Sequence, residues 1–421
     1  MPVFFYTLGC KSNQYETRRL AEKFSALGFD QTTDVKSAGV IVVNTCSVTH
    51  IAERKARNLI RRFRAQNPQA RFYVCGCYAN IAELDKILPQ AIRITQEIKL
   101  RPELWGLPGP RRGSAQAAQR PAAQTCRVRE FLKIQEGCDN FCSYCIIPYA
   151  RRAVSAAAPE NILAEAQKLI QNNVREIVLT GINLGRYAYQ NISLTDILRL
   201  LLRTNITRIR LSSLEPDLIT DDLLKIIAAE PRLARHLHVP LQSGSDKILR
   251  LMNRKYTAAA YQKLIARARR ICGADFGLTT DIIVGFPGET KATFQETCAF
   301  VQEIGFQDLH IFPYSPRPQT AAAKMPLTCS DQEQKQFCQK LEKLRQKMRR
   351  AVLQKALARP LEVLAENNRG GFSSEYAPVK FTKKAASGRI YTAKPLAVKD
   401  RFILAEPAHG VADADLHRQI I

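Results

Sequence analysis

No apolar run in these 421 residues approaches the ~20 that a helix needs to cross a bilayer, which argues against a membrane protein. The first residues, MPVFFYTLGC, lack the basic stretch and long apolar core of a secretory signal. A faint likeness of TLGC to a lipidation box fails on Thr7, and nothing cationic precedes it. Acid is also scarce: 38 Asp and Glu face 63 Lys and Arg, leaving a net charge of +25. Such a field attracts polyanions and fits a nucleic-acid partner, although solubility or a generally basic proteome accounts for the same charge. Hydrophobic content of 46% and charged content of 24% are those of an ordinary globular chain, with room for two to four domains.

Cysteine, by contrast, is abundant, with twelve residues. Disulfides would require an oxidising compartment; without a visible signal, the reading is a reduced cytoplasm and metal-binding thiols. Residues 137–152 read GCDNFCSYCIIPYARR and place Cys138, Cys142 and Cys145 at C-x3-C-x2-C. That spacing can wrap one compact centre. Three thiolates hold three irons of a cubane and leave the fourth open to an exogenous ligand. A structural zinc site competes, but it wants four ligands, and the nearest Cys or His on either side are Cys126 and His236. Three buried free thiols are the other alternative.

The chain reads as alternating strands and helices. Strands are expected at 3–8, 40–43 and 71–74, with helices at 13–27, 51–63 and 79–88, a pattern that predicts a parallel sheet. Cys10, Cys46 and Cys77 each follow one of these strands, at the carboxyl edge where open α/β sheets build their sites. They form a candidate second triad, unless each merely packs a strand end. Cys75 competes with Cys77, because residues two apart on a strand share a face; Cys77, further out, is preferred. The second helix carries Arg54, Lys55, Arg57, Arg61, Arg62 and Arg64, as a solvated face or an RNA-facing strip.

Residues 101–125 read as a Pro/Gly/Ala-rich linker. The rhythm then resumes, with strands at 130–134, 176–180, 208–212, 236–240, 277–284 and 308–312. Helices are expected at 159–172, 194–203, 221–229, 258–271 and 291–304. Six such units make a partial barrel with its chemistry at the carboxyl-end mouth. Small polar loops crowd that mouth: 180–185, 212–216, 242–245 and 285–290. Among them Glu215 could accept from two sugar hydroxyls. A long basic helix over 330–359, containing Arg345 and Arg349, could line a phosphate groove or serve as a soluble connector. Short strands at 361–366, 376–381, 389–393, 396–398 and 402–405 predict a small β-barrel.

Taken together, GCKSNQYE (9–16), NTCSVT (44–49), GCYA (76–79), GCDNFCSYCIIPYAR, SSLEP, HVPLQSGSD, DIIVGFPGET and YSPRP resemble the radical S-adenosylmethionine (SAM) methylthiotransferases. The resemblance implies an α/β multidomain enzyme. Its parts would be an N-terminal parallel α/β domain over 1–100, the linker 101–125, a partial (β/α)6 radical SAM barrel over 126–358 and a TRAM-like RNA-binding β-barrel over 359–421. It implies two 4Fe–4S clusters, on Cys138, Cys142 and Cys145 and on Cys10, Cys46 and Cys77. SAM contacts would come from Tyr144, Gly181, Ser213, Glu215, Gln242 and Ile283, and RNA contacts from Arg345, Arg349 and Lys380. The implied partners are tRNA and a reduced electron donor such as flavodoxin, the implied state a monomer.

The loop LTGINLGRYA and the segment GFSSEYAPVKF look most like the bacterial subgroup that modifies threonylcarbamoyladenosine in tRNA. Subgroups acting on isopentenyladenosine or a ribosomal protein are the alternatives, as is a non-catalytic RNA-binding iron–sulfur protein. The sequence departs from the family pattern at Arg152 and Gln319, where Gly is usual, and at Cys75, where a small or hydroxyl residue is usual.

Overall fold

The computed structural model describes residues 1–81, 91–108, 127–151 and 154–410. Most of the expected helix 79–88, the linker beyond 108, Cys126 and Arg152 lie outside the described residues. The chain forms two compact units: Met1–Thr125 with Glu136–Ser155 and Ser315–Ala323, and Cys126–Gln135 with Ala156–Tyr314 and Lys324–Ile421.

In the first unit, β1 (Pro2–Thr7), β2 (Asp30–Gln31), β3 (Val40–Thr45), β4 (Arg71–Gly76) and β5 (Ile92–Arg93) form a parallel sheet in the order β2-β1-β3-β4-β5. β3 is buried throughout, as expected of a central parallel strand covered on both faces. Alternation sorts its side chains. Ile41 and Val43 join Phe72 and Val74 beneath Ile60 and Phe63 of α2 (His50–Gln66), while Val40 and Val42 join Tyr73 and Cys75 beneath Leu20 and Phe24 of α1 (Lys11–Ala26). α1 begins directly after Cys10, two residues earlier than expected, and α3 (Cys77–Ile81) begins at Cys77 itself.

The second unit contains β6 (Arg129–Lys133), β7 (Glu176–Thr180) and β8 (Arg208–Leu211) in one parallel sheet. β9 (His236–His238), β10 (Gly277–Val284) and β11 (Asp308–Pro313) form another. Single bridges Ile209↔Leu233 and Ser213↔His238 connect the two, so six parallel strands run in chain order as a partial barrel. β9 ends at His238, before the expected Pro240, which has no N–H to give a ladder.

A closed five-strand barrel follows: β12 (Leu361–Asn367), β13 (Gly370–Ser373), β14 (Pro378–Phe381), β15 (Ile390–Lys399) and β16 (Phe402–Gly410). β13 is a strand the sequence reading does not include. The two expected strands 389–393 and 396–398 are one, with a register shift between Pro395 and Ala397. This barrel docks at the amino-terminal end of the six strands, away from their mouth. There Arg210 grips Glu176 (Nε–Oε1 3.0 Å) and lies over the Tyr376 ring, and Arg208 Nη2 donates to Glu362 at 2.6 Å. Among the described residues no helix is long and apolar enough to cross a membrane.

Candidate functional site

Both cysteine groups belong to the first compact unit. In the sheet, register brings the strand ends level: Thr7 lies opposite Asn44, and Thr45 opposite Gly76. Cys10, Cys46 and Cys77 follow those ends. The approach is close enough to require glycine. A Cβ on Gly9 (φ +113°) would stand 2.9 Å from Cys46 Cβ, and one on Gly76 (φ +93°) would collide with the Thr45 carbonyl oxygen. Asn13 stitches the loops, donating from Nδ2 to Leu8 O at 2.7 Å and Thr45 O at 3.0 Å, while Asn44 Nδ2 donates to Asn13 O at 2.9 Å. Cys75 is fully buried in the apolar cluster under α1.

The thiols sense one another. Burial, with smaller contributions from Cys77 and Cys10, pushes the Cys46 thiol up to about 11. Thiols held this way bind metal by giving up protons, so the donor set fits a cationic centre that itself makes the thiolates. Three sulfurs at the edge of a sheet, with closely approaching backbone, fit a cluster with one open iron.

Cys138, Cys142 and Cys145 lie on a short loop that follows Gly137 (φ +71°), is half-buried, and turns through a Cys145 N–H donation to Cys142 O at 2.9 Å. The loop runs into α4 (Ile147–Ala150). Phe141 stands exposed at φ +46°, edge-on to Tyr149.

Arg151 ties this loop to the sheet. It is fully buried, and its Nε lies 3.3 Å from Cys77 Sγ. Nη1 donates to Glu16 and Glu136, each at 2.7 Å, and Nη2 to Asn13 Oδ1 at 2.7 Å. Lys99 pairs with Glu16 from the other side, so two cations face two carboxylates. Burial alone would depress Arg151; Cys77, Glu16 and Glu136 outweigh it and hold the guanidinium well above its ordinary pKa. Asn80 Nδ2 donates to Ala150 O at 2.8 Å. The segment Ser315–Ala323 makes a second tie. Arg317 and Ser47 both bond Glu53 beside Cys46, and Ala322 N–H donates to Ser143 O at 2.8 Å. Residue spacing indicated none of this; Arg151 and Glu16 lie inside recognised motifs, but nothing in the sequence says that they touch.

In the second unit, Gly181, Ser213, Glu215, Gln242 and Ile283 all stand at the mouth of the partial barrel, on or just after β7 to β10. Tyr144 belongs to the first unit. A Cβ on Gly181 would stand 2.9 Å from Gln135 Cβ, so the residue keeps the backbone close. Gln242 takes φ +68° and donates its N–H to Asp281 O at 2.8 Å. Glu215 is paired with Arg254, an ion pair the sequence did not announce; burial nevertheless keeps its carboxyl above the usual value.

The expected RNA contacts differ among themselves. Arg345 and Arg349 of the long helix Asp331–Lys355 are both ion-paired with Asp308, at 2.6 and 3.2 Å. Lys380 is exposed on β14, its ammonium 4.2 Å over the Phe402 ring.

Residues 132–301 match the Radical SAM superfamily, and residues 2–95 match the family described as Uncharacterized protein family UPF0004. The threonylcarbamoyladenosine tRNA methylthiotransferase MtaB of Bacillus subtilis is 36% identical over 342 residues, covering 77% of this chain and 75% of that protein. The tRNA-2-methylthio-N(6)-dimethylallyladenosine synthase of Endomicrobium trichonymphae is 34% identical over 384 residues, covering 88% and 90%. Among solved structures, the radical SAM methyltransferase TsrM from Kitasatospora setae superimposes with a TM-score of 0.54 at 14% identity, over 76% of this chain and 77% of that one, a likeness of fold alone.

Proposed function

The chain belongs to the radical SAM methylthiotransferase family, and from that footing we propose that it adds a methylthio group to carbon 2 of N6-threonylcarbamoyladenosine beside the anticodon of tRNA. Family membership implies SAM and one 4Fe–4S cluster, which Cys138, Cys142 and Cys145 would hold. We assign a second cluster to Cys10, Cys46 and Cys77. In this reading residues 1–100 carry the sulfur centre, 126–358 the radical chemistry and 359–421 an RNA-binding barrel, in a cytoplasmic enzyme served by a reduced donor such as flavodoxin.

The observation that carries the reading is the buried Arg151, which touches Cys77, Glu16 and Glu136 together, joining the two thiol-bearing segments within one compact unit.

The bound groups would supply sulfur and the one-electron chemistry that an unactivated aromatic C–H bond demands, since no side-chain base removes that hydrogen at neutral pH. The chain's residues align and enclose. Asn13, Asn44 and Arg151 hold the two thiol sets in fixed relation. Gly181 lets the β7 loop close on Gln135 at the mouth, and Arg254 holds the Glu215 carboxylate in place. The target base must leave its stack to reach such a mouth.

The excess of 63 basic over 38 acidic residues supports RNA as the substrate. Relatives carrying the threonylcarbamoyladenosine name and those carrying the dimethylallyladenosine name stand at similar identity, 34–36% and 33–36%. The likeness of LTGINLGRYA to the first subgroup favours threonylcarbamoyladenosine. The test is anaerobic reaction of the iron–sulfur-loaded protein with SAM, dithionite and tRNAs carrying either adenosine, read by nucleoside mass spectrometry. A methylthio mass on threonylcarbamoyladenosine is expected. The mass on dimethylallyladenosine alone would move the substrate to the other subgroup, and no methylthio-nucleoside with either tRNA would overturn the tRNA reading.

A further inference from the structure

Three ligating side chains converge on the second unit outside both cysteine groups. They are His238 at the end of β9, Asp281 in β10 and His310 in β11. Parallel register places Asp281 opposite His310, and His238 opposite Thr279. Along β10, Thr279, Asp281 and Ile283 share one face. Thr280, on the other face, meets Tyr261 of the helix Ala258–Cys272. Asp281 therefore points away from the helix layer, toward the inside of the partial barrel.

His238 Nε2 lies 3.1 Å and His310 Nδ1 3.0 Å from the same oxygen, Asp281 Oδ1. All three ligand atoms fall within 4.8 Å of one another. Side-chain exposure rises from 9% at His238 through 23% at Asp281 to 56% at His310, so the group is anchored in the wall and open on one side. Thr279 Oγ1 stands 2.9 Å from His238 Nδ1 and 2.9 Å from His236 Nε2. That hydroxyl fixes which His238 nitrogen faces Asp281, the task that outer groups perform around a metal-bound imidazole.

Two imidazole nitrogens and one carboxylate oxygen, with open positions beyond, are the donor set of mononuclear first-row divalent sites. We propose that His238, Asp281 and His310 form a divalent-cation site on the inner wall of the partial barrel, separate from both cysteine triads. Two positions along β10, about 7 Å at strand rise, lies Ile283 at the mouth. A phosphate or carboxylate oxygen of a bound substrate is the class of ligand that would fill the open positions. The inference does not depend on which adenosine is modified.

The test titrates Mn2+ into the full-length, iron–sulfur-loaded protein with its clusters oxidised and EPR-silent, following the six-line signal of free Mn2+. Wild type should bind one Mn2+ per chain, Zn2+ should displace it, and His310→Ala and Asp281→Asn should each weaken binding by about tenfold or more. Iron and sulfide content should match wild type in both variants. His310 is exposed, so its loss should spare the fold; should Asp281→Asn not fold, His310→Ala decides alone. Absence of Mn2+ binding by wild type up to about 1 mM, or unchanged binding in His310→Ala, would reduce the group to a His–Asp–His hydrogen-bond cluster and overturn the site.

Discussion

The two cysteine triads are built by opposite means. Cys138, Cys142 and Cys145 lie on one half-buried loop, where the chain needs only to turn. Cys10, Cys46 and Cys77 are gathered from three strands of a parallel sheet, with Cys46 and Cys77 buried, two glycines at positive φ and a buried arginine against one sulfur. A loop triad depends on local spacing; a sheet triad depends on the whole domain being folded. Damage to the first should therefore be chemically total and structurally mild. Damage around the second should cost stability as well as sulfur chemistry.

The largest contrast is expected between Cys142→Ala and Cys46→Ala. Removing Cys142 should abolish reductive cleavage of SAM and lower iron by about four atoms per chain, the content of one cubane. Removing Cys46 should cost a similar amount of iron yet leave 5′-deoxyadenosine formation in place, while methylthio transfer is lost. Iron analysis and product chromatography check both. If Cys46→Ala keeps its full iron content, the sheet triad holds no cluster and the comparison ends there.

Arg151→Met comes next. Glu16 and Glu136 would keep Lys99 as the cation on Glu16, in a place where the arginine had balanced them. Breaking a buried ion network by deleting one partner costs about 3–5 kcal/mol, because the other charges stay buried. Urea denaturation should show a loss of that order, and Arg151→Lys should recover part of it. A loss under about 1 kcal/mol, the worth of an exposed pair, would mean that water reaches the network.

How legible these features were follows from the same contrast. The loop triad was visible from C-x3-C-x2-C alone, since eight residues carry the whole signal. The sheet triad was visible only through topology: hydrophobic runs announced β1, β3 and β4, and each cysteine followed one. A period of two gives Cys75 and Cys77 the same face, so the preference for Cys77 rested only on its place further out in the loop. Cys75 belongs to the core with Leu20 and Phe24, and Cys77 opens a helix beside Arg151. The six strands of the partial barrel were legible from their apolar runs. The ion pairs of Arg345 and Arg349 were not legible, because Asp308 is distant in the chain and only the fold brings it alongside. His238, Asp281 and His310 escaped for the same reason, being spread over 73 residues and three strands.

Gly76→Ala sharpens the comparison at lower cost. A side chain there must take φ +93° and move the Thr45 carbonyl, which follows Asn44 at the strand end carrying Cys46. A strained backbone of this kind costs about 1–3 kcal/mol. Gly137→Ala, at φ +71° on the loop triad, should fall at the low end of that range. Paired thermal melts of the two variants check the order. Equal losses would mean that the sheet edge is no more crowded than the loop.

The smallest effect is expected from Cys75→Ala, and it is the most discriminating. Cys75 is fully buried among apolar side chains, where burial pushes its thiol up to about 11. A thiol in that setting packs as a small hydrophobe, so its truncation should cost about 1 kcal/mol, as does deleting one buried methyl. Iron content should not change, since Cys77 and not Cys75 lies at the strand ends with Cys46. Were Cys75→Ala instead to lose the same iron as Cys46→Ala while Cys77→Ala kept it, the ligand would lie within β4. Cys77 would then be a thiol held by Arg151 for some other purpose, and the sheet triad would have to turn its third sulfur out of the α1 core to reach the other two.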